Sequence, residues 1–198
     1  YEMDLLDINA LDDILSKNNY NAVFHFAAKS IVSESLFNEE EYFNNNVVAS
    51  KNLLDGVIKY NIKNFIFSSS ASVFGSISSI KVDESHAKFP INPYGKSKLI
   101  FENILSKKVT QSNLNAVILR YFNATGADES GLIGEYHNPE THLIPSIFNN
   151  LLGKKNILEI YGDNHKTKDG TCIRDYIHVS DLVHAHYLAF EKIRNEGG

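Results

Sequence analysis

Tyr94-Gly95-Lys96-Ser97-Lys98 sets a phenol and an ammonium four residues apart. On a helix that spacing puts both on one face, about a turn from each other. The pair is suited to taking a proton from an alcohol. A free tyrosine titrates near ~10, so a base working at pH 7 needs its phenolate stabilised by ~4 kcal/mol. One ammonium at roughly 6 Å, with an effective dielectric of ~20, supplies about 3 kcal/mol. Lys98 alone falls a little short, and a second fixed positive charge beside Tyr94 would close the gap. Tyr-x-x-x-Lys also occurs on ordinary surface helices, so the pair must be weighed with its surroundings.

Those surroundings begin at Phe65-Ile66-Phe67-Ser68-Ser69-Ser70-Ala71-Ser72-Val73-Phe74-Gly75. A buried apolar strand runs out into hydroxyl residues where it ends, and ligands of open α/β sheets bind at such carboxyl ends. From there Ser70 can hydrogen-bond a reacting hydroxyl and share it with Tyr94. Asn92-Pro93 ahead of Tyr94 reads as a helix start, with Asn as N-cap and Pro as the first helical residue.

The elements that must position these residues alternate. Strands are expected at Ala22–Phe26, Asn64–Ser68, Ala116–Tyr121 and Ile157–Tyr161, their near-continuous apolar character suiting parallel strands covered on both faces. Helices are expected at Ala10–Lys17, Glu39–Tyr60, Pro93–Lys107, Leu143–Leu152 and Asp181–Ile193, with Ser180 capping the last and Gly153 just past the end of the fourth. Glu39-Glu40-Glu41 suits a helix N-terminus. The pattern implies an α/β doubly wound parallel sheet, a Rossmann-type domain over 1–127. Residues 128–198 form a mixed segment, part of a smaller C-terminal substrate-binding lobe and part returning to the first domain. The opening strand-loop-helix with its glycine fingerprint is absent, and Gly131-Leu132-Ile133-Gly134 reads as a loop. Tyr1 at the start and Gly197-Gly198 at the finish read as cut ends, so a piece of a longer protein is expected.

Bulk properties exclude several classes. The 198 residues carry 43% hydrophobic and 22% charged side chains, ordinary for a globular domain, and a net charge of −5 that argues against nucleic acid as a partner. Cys172 is the single cysteine, so neither an intrachain disulfide nor a thiolate metal cage is available. Apolar runs are strand-sized and no leader pattern opens the chain, so a cytoplasmic protein without a membrane partner is expected. No metal is expected. His184 and His186 are two apart on a helix, and His137 and His142 read as loop histidines rather than a metal pair.

The strand-end serines with Tyr94 and Lys98 resemble the extended short-chain dehydrogenase/reductase superfamily. The resemblance narrows to its UDP-glucose 4-epimerase family through His25-Phe26-Ala27-Ala28, Leu119-Arg120-Tyr121-Phe122-Asn123 and His137-Asn138-Pro139-Glu140-Thr141-His142-Leu143-Ile144-Pro145. The most specific run is Asp169-Gly170-Thr171-Cys172-Ile173-Arg174-Asp175-Tyr176-Ile177-His178-Val179. The likeness spans essentially the whole chain. It implies NAD as cofactor, UDP-glucose and UDP-galactose as substrates, and a homodimer formed through the helices at Glu39–Tyr60 and Pro93–Lys107. It further implies that Ser70, Tyr94 and Lys98 are catalytic. Asp4 and Leu5 would flank the adenine. Phe26, Ala27, Ala28 and Asn45 would line the cofactor, with Phe122 beside the nicotinamide, whose charge is the second one Tyr94 needs. Ser72, Asn123, His142, Leu143, Tyr161 and Arg174 would hold the UDP-sugar, Arg174 against the pyrophosphate, where a guanidinium fork suits phosphate oxygens.

Two positions depart from the family. Some members carry lysine where this chain has Ser30, with Lys29 one place earlier, and some carry asparagine in place of His142. A nucleotide-sugar 4,6-dehydratase is the nearest rival. It needs acidic residues after the strand-end hydroxyl, where this chain has Ala71 and Ser72. A non-catalytic nucleotide-sugar sensor would not need the phenolate arrangement.

Overall fold

A computed structural model describes residues 1–77 and 81–196. Gly197 and Gly198, read above as a cut end, lie outside the described residues. The chain divides into two compact units, one of Tyr1–Tyr121 with Ala185–Gly198 and one of Phe122–His184.

In the first unit α1 (Ile8–Lys17) is followed by β1 (Ala22–His25), two short helices α2 (Val32–Ser35) and α3 (Glu39–Phe43), a π-helical stretch at Asn44–Ala49, and α4 (Ser50–Lys59). Then come β2 (Asn64–Ser68), a 3₁₀ turn at Ala71–Phe74, α5 (Pro93–Val109) and β3 (Asn115–Leu119). Among the described residues the three strands form a parallel sheet in the order β1-β2-β3, with Phe24 opposite Ile66 and Ile66 opposite Val117. The central strand is buried along its whole length, as its Phe-Ile-Phe core requires of a strand covered on both faces.

The helices are fixed by local chemistry. Asp7 caps α1, its carboxylate accepting from the N–H groups of Asn9 and Ala10, which satisfies donors left over at a helix start. Leu11 and Leu15, one turn apart, then bury against Leu53, Leu54 and Val57 of α4 and against Phe65, Phe67, Phe101 and Leu105. Asn92 caps α5 by accepting from Gly95 N–H at 2.7 Å, with Pro93 in the first turn, as the sequence predicts. Three glutamates occupy the first turn of α3, where the helix dipole favours them.

The second unit holds β4 (Asn123–Thr125), α6 (Leu143–Leu151) and β5 (Tyr176–His178), with β4 and β5 paired in parallel. The last helix, α7 (Val179–Glu196), starts in this unit, and its residues from Ala185 belong to the first. There Phe190 packs on Phe24 of β1 and His186 on Phe26.

Several expected boundaries shift. Pairing in β1 ends at His25, so Phe26 leaves the sheet. The third strand stops at Leu119, although Ser69 and Ala71 N–H still reach the carbonyls of Leu119 and Tyr121. Ser180 does not cap α7 but lies within it, because the helix begins at Val179 straight after β5. Ile157–Tyr161 is not a strand. The run has strand composition but finds no partner to pair with among the described residues, and Ile157, Ile160 and Tyr161 stay exposed. Gly153 ends α6 as expected, with a φ of 70° that only glycine adopts readily. The long helix expected over Glu39–Tyr60 is helical throughout but carries the π stretch in its middle.

The contact that brings α5 onto the end of β2 is a glycine. A Cβ on Gly95 would stand 2.6 Å from the Ser72 carbonyl oxygen and 3.1 Å from Pro90 Cβ. Gly95→Ala is therefore expected to force α5 off the 3₁₀ turn and to lower stability by about 1–3 kcal/mol. Urea denaturation of the full-length protein measures the loss, and an unchanged midpoint would refute the close packing.

Candidate active site

The first turns of α5 and the carboxyl end of β2 bring three side chains together. Ser70 caps the 3₁₀ turn, its hydroxyl accepting from Ser72 N–H at 3.1 Å, and is buried. Tyr94 is 9% exposed and Lys98 4%. Lys98 Nζ donates to the Ser68 carbonyl at 2.9 Å and stands 4.9 Å from the Phe67 ring centre and 5.9 Å from that of Tyr94. Burial pushes the Lys98 ammonium down to about 8, with the Glu102 carboxylate pulling it part of the way back. It is thus charged at neutral pH.

Burial also pushes Tyr94 up to about 12; the Ser70 hydroxyl beside it pulls down and Tyr121 pushes up. The phenol therefore rests protonated. From spacing alone, Lys98 would do most of the work of stabilising the phenolate. In the folded chain desolvation acts on Tyr94 in the opposite sense, and the ammonium is turned to a backbone carbonyl.

Beneath these groups lies a network that sequence reading missed. Glu102 is 2% exposed. Its carboxylate accepts from Arg120 Nε at 2.9 Å and Nη2 at 2.8 Å, and from the Ser69 hydroxyl at 2.6 Å. A two-pronged pair of this kind is strong and directional. Tyr94, Lys98 and Glu102 recur every four residues, so a charged residue eight after the tyrosine on an otherwise buried face was the available signal. His25, under the same sheet end, bonds Ser50 Oγ at 2.7 Å, and burial together with Lys98 pushes it down to about 3, so it is neutral.

The π stretch explains a second omission. Asn46, not only Asn45, is placed for a purpose. Its amide accepts from Lys29 N–H at 2.8 Å and donates to Lys29 O at 2.9 Å and to Ser97 Oγ at 3.1 Å. It thereby ties the loop after β1 to α5. Asn45 also accepts from Lys29 N–H, at 3.2 Å. Three consecutive asparagines, poor helix formers, were the sequence sign.

Asn45 and Asp4 line one cavity of about 600 Å³, together with Leu6, Lys29, Phe37 and Glu41. That volume is ordinary for a small-molecule site, and its carboxylate, amide and ammonium groups can hydrogen-bond a nucleoside. Leu5 is not in it. The turn closed by Asp4 Oδ1 on Leu6 N–H sends Leu5 to the core and Leu6 to the cavity. Lys29, one place before the position where some family members carry lysine, is held by Glu41 at 2.7 Å. Phe26 is 55% exposed at the end of β1, followed by Ala27 and Ala28. Ser72 lies in the 3₁₀ turn.

The remaining expected residues fall in the second unit. Asn123 opens β4, its amide donating to Asp175 O at 2.9 Å, which sets it beside the Arg174-Asp175 step. Arg174 is exposed and donates to Ile173 O. Leu143 begins α6 and is half exposed, Phe122 precedes β4, and Tyr161 is exposed with its hydroxyl on Glu159. Among the described residues no hydrogen bond joins Tyr161 to Asn123, and Leu143 lies on a separate element. His142 turns its ring to Glu135 and His137, and both histidines lie in the loop ahead of α6, as read from the sequence.

A Rossmann-like parallel sheet whose strand-end hydroxyls meet a buried tyrosine and lysine on the next helix is the class that fold and site define. The chain belongs to the NAD dependent epimerase/dehydratase family, which it matches over residues 1–198. It is 44% identical over 197 residues to a UDP-glucose 4-epimerase of Halalkalibacterium halodurans, covering 100% of this chain and 59% of the relative. A solved UDP-glucose 4-epimerase of Brucella ovis in complex with NAD superposes with a TM-score of 0.95 at 46% identity, over 100% of this chain and 61% of that one. The UDP-Glc/GlcNAc 4-epimerase of Campylobacter jejuni gives a TM-score of 0.81 at 37% identity, over 98% and 59%. The chain thus spans about three fifths of the length of these relatives.

Three outcomes are expected from the buried charges. Lys98 should lose its proton as pH rises through about 8, well before exposed lysines near ~10.4; NMR titration of labelled lysine side chains in the full-length protein, without added ligand, reads this directly. Glu102→Gln leaves Arg120 without its counter-charge and should cost about 3 kcal/mol of stability. The same variant should also titrate Lys98 at a still lower pH, since the carboxylate that raises it is gone. An unmoved Lys98 signal would sink that account.

Proposed function

We propose that the protein containing this chain is a UDP-glucose 4-epimerase, interconverting UDP-glucose and UDP-galactose through a 4-keto sugar with NAD as cofactor. The observation that carries this reading is the buried Ser70, Tyr94 and Lys98 set at the end of β2, in a chain 42–44% identical to UDP-glucose 4-epimerases.

NAD, when bound, supplies reversible hydride chemistry at the sugar C4. The residues of this chain do the rest. Tyr94 takes the proton of the sugar 4-hydroxyl at its phenol oxygen and later returns it. Ser70 shares that hydrogen bond. Lys98, charged at neutral pH, favours the phenolate at the moment Tyr94 gives up its own proton, and the fixed positive charge of the oxidised cofactor adds to it. Asp4, Asn45, Phe26, Ala27 and Ala28 would hold the cofactor, and Phe122 would border its nicotinamide. Ser72, Asn123, Leu143, Tyr161 and Arg174 hold the UDP-sugar.

Loss of water from the 4-keto sugar would need an acid and a base beyond Tyr94. Ala71 and Ser72 follow Ser70 and offer no ionisable group, which favours epimerisation over a 4,6-dehydratase. On the same reading the protein is cytoplasmic and pairs with a second copy through α3–α4 and α5.

The full-length protein is expected to convert UDP-galactose to UDP-glucose with no net oxidation. Tyr94→Phe should lower kcat by roughly 10²–10⁴, the scale of a general base, with the fold intact by circular dichroism. A 4-keto-6-deoxy sugar as the main product in mass spectrometry would move the assignment to the dehydratase. Arg174→Lys keeps the charge but loses the fork, so UDP affinity measured by calorimetry should fall by about 1–3 kcal/mol. Unchanged UDP binding would remove Arg174 from the pyrophosphate.

A further inference from the structure

The eight residues leading into α6 converge four side chains that the epimerase reading does not use as a group. Glu135, His137, Glu140 and His142 each offer one ligand atom, and these atoms all lie within 4.8 Å of one another. His142 Nδ1 is 2.7 Å from Glu135 Oε1 and 3.7 Å from Glu140 Oε1. His137 Nδ1 is 3.6 Å from Glu135 Oε1 and 3.5 Å from Glu140 Oε2. The two Nδ1 atoms are 3.3 Å apart.

Ligands held at ~2.0–2.1 Å on the corners of a tetrahedron lie roughly 3.3 Å from each other. Most of the separations above fall close to that edge. Hydrogen bonding alone accounts for the cluster poorly. Glu140 accepts from the His142 backbone N–H at 2.9 Å, but with both Nδ1 atoms facing each other the two imidazoles cannot both carry a proton there, so at most one ring answers the two carboxylates. Those carboxylates are mostly shielded from water, with side-chain exposures of 17% for Glu135 and 8% for Glu140. A divalent cation balances both charges and gives each Nδ1 lone pair a partner. Imidazole donors favour zinc over the harder calcium and magnesium ions.

We propose that Glu135, His137, Glu140 and His142 bind a zinc-class divalent cation, which clamps the loop ahead of α6. The site is structural: it fixes the chain from which Leu143 starts the helix, and it makes His142 a metal ligand rather than a sugar contact. It is independent of the epimerase reading, and its test uses no activity.

Untagged full-length protein is stripped with a chelator, dialysed and titrated with zinc chloride by calorimetry, with magnesium chloride as control. A single saturable zinc per chain is expected, with no comparable magnesium binding. His137→Ala and Glu140→Gln should each weaken it by more than about 100-fold, beyond the roughly 10–100-fold usual for outer-shell changes. His137→Cys, which keeps a zinc donor, should restore much of the affinity. Cobalt(II) bound to the parent protein should give the intense visible bands of four-coordination. Should the variants not fold, that spectrum decides, and a weak six-coordinate one overturns the site. So does absence of saturable zinc binding, or binding that the variants leave unchanged.

Discussion

Burying two opposite charges one turn apart on α5 is the condition under which this site exists. Lys98 and Glu102 are both almost without solvent, and an ion removed from water must be met by partners or it neutralises. Glu102 is met by the fork of Arg120 and by Ser69. Lys98 is met by the Ser68 carbonyl and the face of Phe67. Each partner comes from the end of β2 or just beyond β3, so satisfying the helix's charges aligns it with the sheet. Tyr94 is carried along on the same face, next to Ser70. The site geometry therefore follows from polar satisfaction as much as from packing, with Gly95 allowing the approach that makes those contacts possible.

The same logic runs through the other edge of the first unit. A regular α-helix over residues 39–60 would present its asparagines at fixed angles. The π stretch at Asn44–Ala49 changes that angle, and Asn46 then reaches both the Lys29 backbone and Ser97 of α5. Single π turns inside helices often mark functional sites because they re-aim side chains. Here the re-aimed amide couples the cavity beside Asp4 and Asn45 to the helix bearing Tyr94. The two halves of the candidate site are joined by one buried side chain.

Electrostatics in the first unit also assigns roles that residue types leave open. His25 is kept neutral by burial and by the neighbouring ammonium, so it is a packing and hydrogen-bonding residue. Tyr94 is kept protonated and Lys98 charged. A protonated phenol beside a charged amine is a resting state, and its proton moves only when further positive charge or a bound hydroxyl alters the balance.

The sequence alone determined the strand-helix alternation, the cap at Asn92-Pro93, and the shared face of Tyr94 and Lys98 beside the strand-end serines. Each of these is local: apolar periodicity, capping chemistry and four-residue spacing are properties of neighbouring residues. It also carried the family, through runs that need no structure to compare. What it did not carry was any pairing across distant segments. Ile157–Tyr161 has the composition of a strand and, among the described residues, no strand paired with it. Glu102 meets Arg120, and Asn46 meets Lys29 and Ser97, only because separate elements converge. His137 and His142 are five apart with no periodicity to join them, yet a loop turns their rings together. Leu5 and Leu6 are alike in type, and a single turn decides which one faces the cavity. Spacing along a helix or strand fixes direction, so it can be read from the chain; a loop or a buried ion pair has its geometry set by whatever packs against it, and only the tertiary structure supplies that.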